Sequence, residues 1–294
     1  MQTQPADLQL PAKPENLSSL EFIRNLTTYV AARRIVAGKT VADVGCGTGH
    51  GAWLLAKSGA ERVAALDTDE ARIRQVAGLC TRVENFSASV MDAQRLEFED
   101  HSFQVITCFE VIEHVPRPGM LLSGVRRVLA GDGVALLSTP NRTVRLLPLQ
   151  RPWNRQHMRE YTASAFHRVL AKHFPSLAIL GIGGDPEPYE YYRKLWRQDP
   201  WRVYTSWVTL PARALRRITT RRRTRTQIRP STPPRSPNSD SALLNMAVPT
   251  PDAESWPFYV GGVDRHCLNF FALCGFDDEV IEKAAREIKR SDHR

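Results

Sequence analysis

Residues 41–51 read Val41-Ala-Asp-Val-Gly-Cys-Gly-Thr-Gly-His-Gly51. The apolar run Thr40–Val44 predicts a buried strand, and His50–Lys57 predicts a helix stopped near Gly59, so the glycines at 45, 47 and 49 occupy the turn between them. Glycines there let the chain turn sharply and let a ligand approach the backbone without Cβ contacts. The next predicted strand, Arg62–Leu66, runs into Asp67, and an acid at that strand end accepts the two hydroxyls of an adenosine ribose. The spacing alone leaves the cofactor open. A dinucleotide fingerprint needs a third glycine where this chain has His50, because a pyrophosphate requires close approach of the helix. Asp43, just before the loop, would repel a phosphate and could orient an ammonium group.

Outward from this loop the chain alternates. Leu20–Ala37 predicts an amphipathic helix, with Ser18 to Glu21 at capping-box spacing before it and Gly38 after it. Asp69 starts a predicted helix to Leu79, Phe103–Phe109 is a strand, and Met120–Leu129 is a helix with Pro118 in its first turn and a stop at Gly131. Val134–Ser138 and Leu177–Ile182 are strands on either side of a helix over Ala163–His173, which Thr162 caps. Such alternation implies parallel pairing with crossover helices, a doubly wound α/β sheet. The pattern breaks after about residue 185. Val203–Ile218 suits an amphipathic helix with a basic face, Arg229–Pro257 has the Pro/Ser-rich composition of a disordered segment, and order is expected again in a last strand, Cys267–Cys274, and a helix, Asp277–Lys289. The expected organisation is a tail and cap helix over 1–39, a core over 40–185, an insertion over 186–262, and a final strand and helix over 263–294.

These residues resemble class I S-adenosylmethionine-dependent methyltransferases, whose first motif runs acid-x-Gly-x-Gly-x-Gly. The resemblance continues in order through Leu66-Asp67-Thr68-Asp69, Met91-Asp92-Ala93, Ser102-Phe-Gln-Val-Ile106, Phe109-Glu-Val-Ile-Glu-His-Val115 and Leu129-Ala-Gly-Asp-Gly-Val134. Gln104 departs from the Asp usual there. The resemblance implies a Rossmann-like seven-stranded sheet with the last strand antiparallel, an insertion before that strand, and S-adenosyl-L-methionine as cofactor. It puts Asp43, Gly45, Cys46, Gly47, Gly49, Asp67, Thr68, Asp92, Ala93 and Phe109 at the cofactor, with Asp92 facing the adenine amino group. Tyr29, on the first helix, is expected as a lid. Ser138-Thr-Pro-Asn141 and Asn154-Arg-Gln-His-Met-Arg-Glu-Tyr-Thr162 resemble bacterial methyltransferases of glycans and small molecules found with cell-surface polysaccharide genes, with the ubiquinone-type O-methyltransferases expected as more distant relatives.

Methyl transfer needs an aligned nucleophile and exclusion of water, and a hydroxyl acceptor must also lose its proton. Histidine has the pKa for that step, and His114 and His157 follow the strand ends where the loops should meet. Both are the expected catalytic residues, with Glu113 and Glu160 as acids that fix the loops. No Asn/Asp-Pro-Pro-aromatic run follows the fourth strand and no proline precedes Cys108, which argues against DNA adenine and cytosine-C5 substrates. The five cysteines form no CxxC pair, so neither a disulfide framework nor a metal site is expected, and a reducing cytoplasm suits the count. The start of the chain lacks a basic-then-apolar leader.

The net charge of +9 is local. Nine arginines and no acid lie between Arg213 and Arg235, and the rest of the chain is balanced. A basic run preceded by Trp196, Trp201, Tyr204 and Trp207 suits contact with an anionic membrane surface as well as a solvated linker. An RNA substrate rests on that run alone, so nucleic acid is not the expected partner. The expected acceptor is a saccharide, a lipid-linked glycan or another small molecule. A non-catalytic S-adenosylmethionine-binding protein is the remaining alternative.

Overall fold

The computed structural model describes residues 17–80, 83–146, 152, 154–184, 258–264 and 267–289. In chain order it contains α1 (Leu17–Ala32), a 3-10 turn (Arg33–Ile35), β1 (Thr40–Val44), α2 (His50–Lys57), β2 (Arg62–Asp67), α3 (Glu70–Cys80), β3 (Phe86–Val90), β4 (Phe103–Phe109), α4 (Pro118–Val128), β5 (Leu129–Pro140), α5 (Arg142–Arg145), α6 (Ala163–Leu170), β6 (Ser176–Gly184), β7 (Phe258–Gly261), β8 (Asn269–Gly275) and α7 (Asp278–Lys289). The strands form one sheet in the order β3-β2-β1-β4-β5-β8-β6-β7. Pairing is parallel from β3 to β5, and β8 inserts antiparallel between β5 and β6.

Both faces of the sheet are covered, which is why its central strands are apolar at nearly every position. Successive residues point to opposite faces. In β4, Val105 and Phe109 join the core under α1, α2, α3 and α7, whereas Ile106 and Cys108 join the core under α4 and α6. β8 divides in the same way, with Phe271 and Leu273 on the first face and Phe270, Ala272 and Cys274 on the second. The chain winds from β1 outward to β3, returns, and continues from β4 in the other direction. The topological switch point therefore falls between β1 and β4, and their carboxyl ends are where open α/β sheets bind ligands.

The doubly wound fold with an antiparallel last strand is present, with four local differences. Seven strands were expected and eight occur among the described residues, because Phe258–Gly261, placed in the insertion, pairs antiparallel with β6 at the sheet edge. The first helix already includes Leu17 and ends at Ala32, so Ser18 lies within its first turn rather than before it. No break separates α4 from β5: Leu129 is fully buried and pairs with Phe103, and a register shift before Val105 absorbs Gly131-Asp132-Gly133. β3 escaped the sequence pattern because it is a largely exposed strand with little apolar content. The caps expected at Asp69 and Thr162 hold, however, and Asp277 adds one that was not foreseen. Asp69 Oδ1 accepts from the amides of Ala71 and Arg72, Asp277 Oδ1 from those of Glu279 and Val280, and Thr162 Oγ1 from that of Ala165. The Val203–Ile218 helix, the Arg213–Arg235 run and the Arg229–Pro257 segment lie outside the described residues.

Candidate functional site

The turn after β1 is held from the neighbouring strand. The amides of Gly45 and Cys46 both donate to the Leu66 carbonyl, at 2.7 and 2.8 Å, and the amide of Gly47 donates to Asp67 Oδ2 at 2.9 Å. Asp67 Oδ1 accepts from the Asp69 amide at 2.9 Å, so one bond to each oxygen fixes the carboxylate and further lone pairs stay available. Gly45 has φ +81°, and a Cβ there would run into the Val111 side chain from the loop after β4. Gly47 has φ +57°, and a Cβ there would project into open space beside Asp67. The first glycine is required by packing and the second leaves backbone accessible, as a cradle for a ligand demands.

The remaining expected cofactor residues fall into two groups. Met91 donates its amide to the Asp67 carbonyl, which brings Asp92 and Ala93 beside the end of β2, with Thr68 exposed on the same rim. Asp92 is exposed and caps its own turn by accepting from the Gln94 amide. Behind the loop, Asp43, Cys46, Phe109 and Tyr29 are all buried. Tyr29, expected as a lid, is turned inward. Its hydroxyl lies 3.1 and 3.2 Å from the Asp43 oxygens, its ring meets Phe109 edge-on, and Gly51 leaves the space that the ring fills. Thr107 donates to Asp43 Oδ1 at 2.7 Å. Burial pushes Asp43 up to about 7, against the lowering effect of its Thr107 and Tyr29 hydrogen bonds. Burial likewise raises the Cys46 thiol and lowers His50 to about 4, so His50 is a neutral ring beside Phe22 and Tyr29.

Asp43 keeps its proton to a higher pH in the folded protein than in the unfolded chain. Its folded value lies above its ordinary 3.8, so between about pH 4 and 7 the folded protein holds a proton that the unfolded chain releases. The stability this group contributes is therefore present at low pH and falls as pH rises through that window. Asp43→Asn keeps an acceptor for Thr107 and removes the titration. The variant is expected to gain on the parent between pH 5 and pH 8, by about 2.5 kcal/mol, read from urea midpoints. Equal differences at the two pH values would refute the assignment.

A second cluster lies where the loops after β4 and β5 meet. Glu110, at φ +57°, accepts from Ser138 Oγ at 2.9 Å and Asn269 Nδ2 at 2.8 Å, with Arg24 at 3.8 Å. Glu113 is fully buried, and its Oε2 accepts from Thr139 Oγ1 at 3.1 Å. Burial, and then repulsion from Glu110, raises the Glu113 carboxyl well above its usual range. The His114 and His157 rings meet edge to face with centroids 4.7 Å apart. His157 Nδ1 lies 2.9 Å from Glu160 Oε1, and His114 Nδ1 lies 3.2 Å from the Gln156 carbonyl. Met158 donates its amide to the Glu113 carbonyl, which ties the two loops together. The structure thus brings both expected catalytic histidines to one place, and Val111 joins that place to Gly45. Glu113 was expected only to fix its loop, and Glu110 was given no role of its own. Nothing in local spacing signals that Ser138, Asn269 and Thr139 would converge on them.

The residues present suit a nucleoside cofactor without a pyrophosphate: an open glycine backbone, an anchored ribose-type acid, and a buried imidazole where a dinucleotide site has glycine. The methyltransferase domain profile matches residues 17–173, just over half of the chain. The chain is 36% identical over 149 residues to a probable S-adenosylmethionine-dependent methyltransferase of Mycolicibacterium smegmatis, covering 51% of this chain and 56% of that protein. It is also 36% identical over 140 residues to a ubiquinone biosynthesis O-methyltransferase of Xanthomonas oryzae, covering 47% and 56%. The match thus spans little more than half the length of these relatives. Among solved structures, the [4+2]-cyclase SpnF superposes with a TM-score of 0.53 at 14% identity over 91% of this chain and 86% of that one, a likeness of fold. With the glycine loop, the strand-end acid and the sheet order already in place, the matched profile establishes that the chain belongs to the methyltransferase domain family, whose cofactor is S-adenosylmethionine.

Proposed function

We propose that this protein transfers the methyl group of S-adenosylmethionine to a hydroxyl of a small molecule, with a saccharide or lipid-linked glycan as the leading acceptor. When bound, the cofactor supplies an electrophilic methyl on a sulfonium. The residues of this chain do the rest. Asp67 and the open Gly47 backbone hold the nucleoside, and Asp43, engaged by Tyr29 and Thr107, supports the loop from behind. The acceptor hydroxyl is presented at the corner formed by Glu110, Glu113, His114 and His157, where its proton is removed.

The observation that carries this reading is the convergence of two anchored histidines on the loop that packs against the cofactor turn. Relatives named as ubiquinone biosynthesis O-methyltransferases support a hydroxyl acceptor and make a phenol the second reading. Among the described residues no helix is long and apolar enough to cross a membrane. The test is release of S-adenosylhomocysteine with panels of glycans, lipid-linked sugars and catechols. Turnover with sugars is expected. Turnover only with catechols would favour the second reading, and micromolar cofactor binding with no turnover on any hydroxyl panel would overturn O-methylation.

A further inference from the structure

We propose that Glu113, His114 and His157 form a binding site for one divalent transition-metal ion, and that this ion activates the acceptor hydroxyl. The second half rests on the O-methylation reading above, and the first does not.

One carboxylate oxygen of Glu113 and one nitrogen from each ring lie within 4.8 Å of one another. Ligand atoms on a zinc-like ion stand about 3.3 Å apart or slightly more, so closing the set takes small side-chain adjustments. An independent observation points the same way. Glu113 Oε1 is buried and has no hydrogen-bond partner, whereas Oε2 is held by Thr139. A buried carboxylate oxygen left bare is costly, and a cation at this point supplies the missing partner.

The surroundings resemble the outer shell of a metal site. Each ring is anchored through Nδ1, one on the Glu160 carboxylate and the other on the Gln156 carbonyl. An acceptor there puts the proton on Nδ1 and leaves Nε2 free as a ligand, the arrangement that orients metal-bound histidines. Glu110 is engaged elsewhere, its Oε1 accepting from Ser138 and Asn269 and its Oε2 lying 3.8 Å from Arg24. Two imidazoles and one carboxylate select zinc, manganese, iron(II) or cobalt(II) over magnesium or calcium, which prefer all-oxygen sets. Three protein ligands leave positions open for an acceptor oxygen.

A metal-bound hydroxyl loses its proton to solvent more readily, as metal-bound water does. The oxygen lone pair forms the O–C bond while the C–S bond breaks, its electron pair passing to sulfur. Both histidines are then ligands and neither acts as the base.

The test uses the full chain, stripped of metal with a chelator, then titrated with Zn²⁺ by calorimetry and with Co²⁺ by visible absorption. One ion per chain is expected, with d–d bands for cobalt. His157→Ala and the more exposed His114→Ala are each expected to weaken binding at least about 100-fold, while S-adenosylhomocysteine affinity stays within about twofold. Thermal melts separate loss of a ligand from loss of fold, and His114→Ala decides the matter if the other variant is unfolded. Absence of stoichiometric Zn²⁺ or Co²⁺ binding, or unchanged affinity in the folded variants, overturns the site. Binding without restored turnover after chelation overturns the activating role alone. Failure to bind S-adenosylhomocysteine would instead sink the functional reading and leave the metal result standing.

Discussion

Replacing Asp67 with alanine is expected to lower affinity for S-adenosylmethionine and S-adenosylhomocysteine at least about 100-fold, with the fold intact. Two charge-assisted hydrogen bonds to ribose hydroxyls are worth about 1.5–3 kcal/mol each, and about 1.4 kcal/mol is tenfold in affinity. The substitution also removes the acceptor for the Gly47 amide, so the turn loses its tether to β2 as well as a ligand contact. Stability should suffer much less. The side chain lies at the rim of the crevice, and the two amides it releases can reach water, which sets the cost at about 1–3 kcal/mol. Calorimetric titration beside a thermal melt separates the two effects. Affinity retained within about threefold would mean that Asp67 caps its turn and holds no ribose.

The second large effect is expected at His157. Its alanine variant should lose about 10²- to 10⁴-fold in kcat, the usual worth of a group that handles the acceptor proton, with cofactor affinity unchanged. The ring is 6% exposed and anchored on Glu160, whose side chain is fully buried. If His157 acts on the acceptor, Glu160 acts through it, by holding the ring. Glu160→Gln keeps an acceptor for Nδ1–H and should retain activity within about tenfold, whereas Glu160→Ala should approach the His157 loss. A fall in cofactor affinity in step with kcat would place His157 in the structure of the loop instead. This outcome does not depend on whether the ring accepts the proton itself or ligates a metal.

Much of this architecture was legible along the chain because its signals are local. The run from Thr40 to Gly51 carries a strand, a turn that needs glycine and a helix within a dozen residues, and Asp67 follows at the next strand end. Caps such as Asp69 and Thr162 work through amides two or three residues away, so spacing alone reveals them. Elements whose order comes from neighbours were missed. β3 has too little apolar pattern to announce itself, and β7 is a strand because β6 offers an edge.

The winding of the sheet, the glycine turn and the acid that stands beside it can be read from the chain alone. Tertiary structure alone decided what faces what. Tyr29 was expected over the cofactor, but Gly51 leaves room for its ring and Asp43 accepts its hydroxyl, so packing turned it inward. His157 lies far from Glu113 and His114 along the chain, and they meet because β4 and β5 are adjacent parallel strands whose following loops leave the same edge. Periodicity reports which face of an element is buried. It carries no information about which distant loop will share that end of the sheet, and in this protein Glu113, His114 and His157 are brought together there.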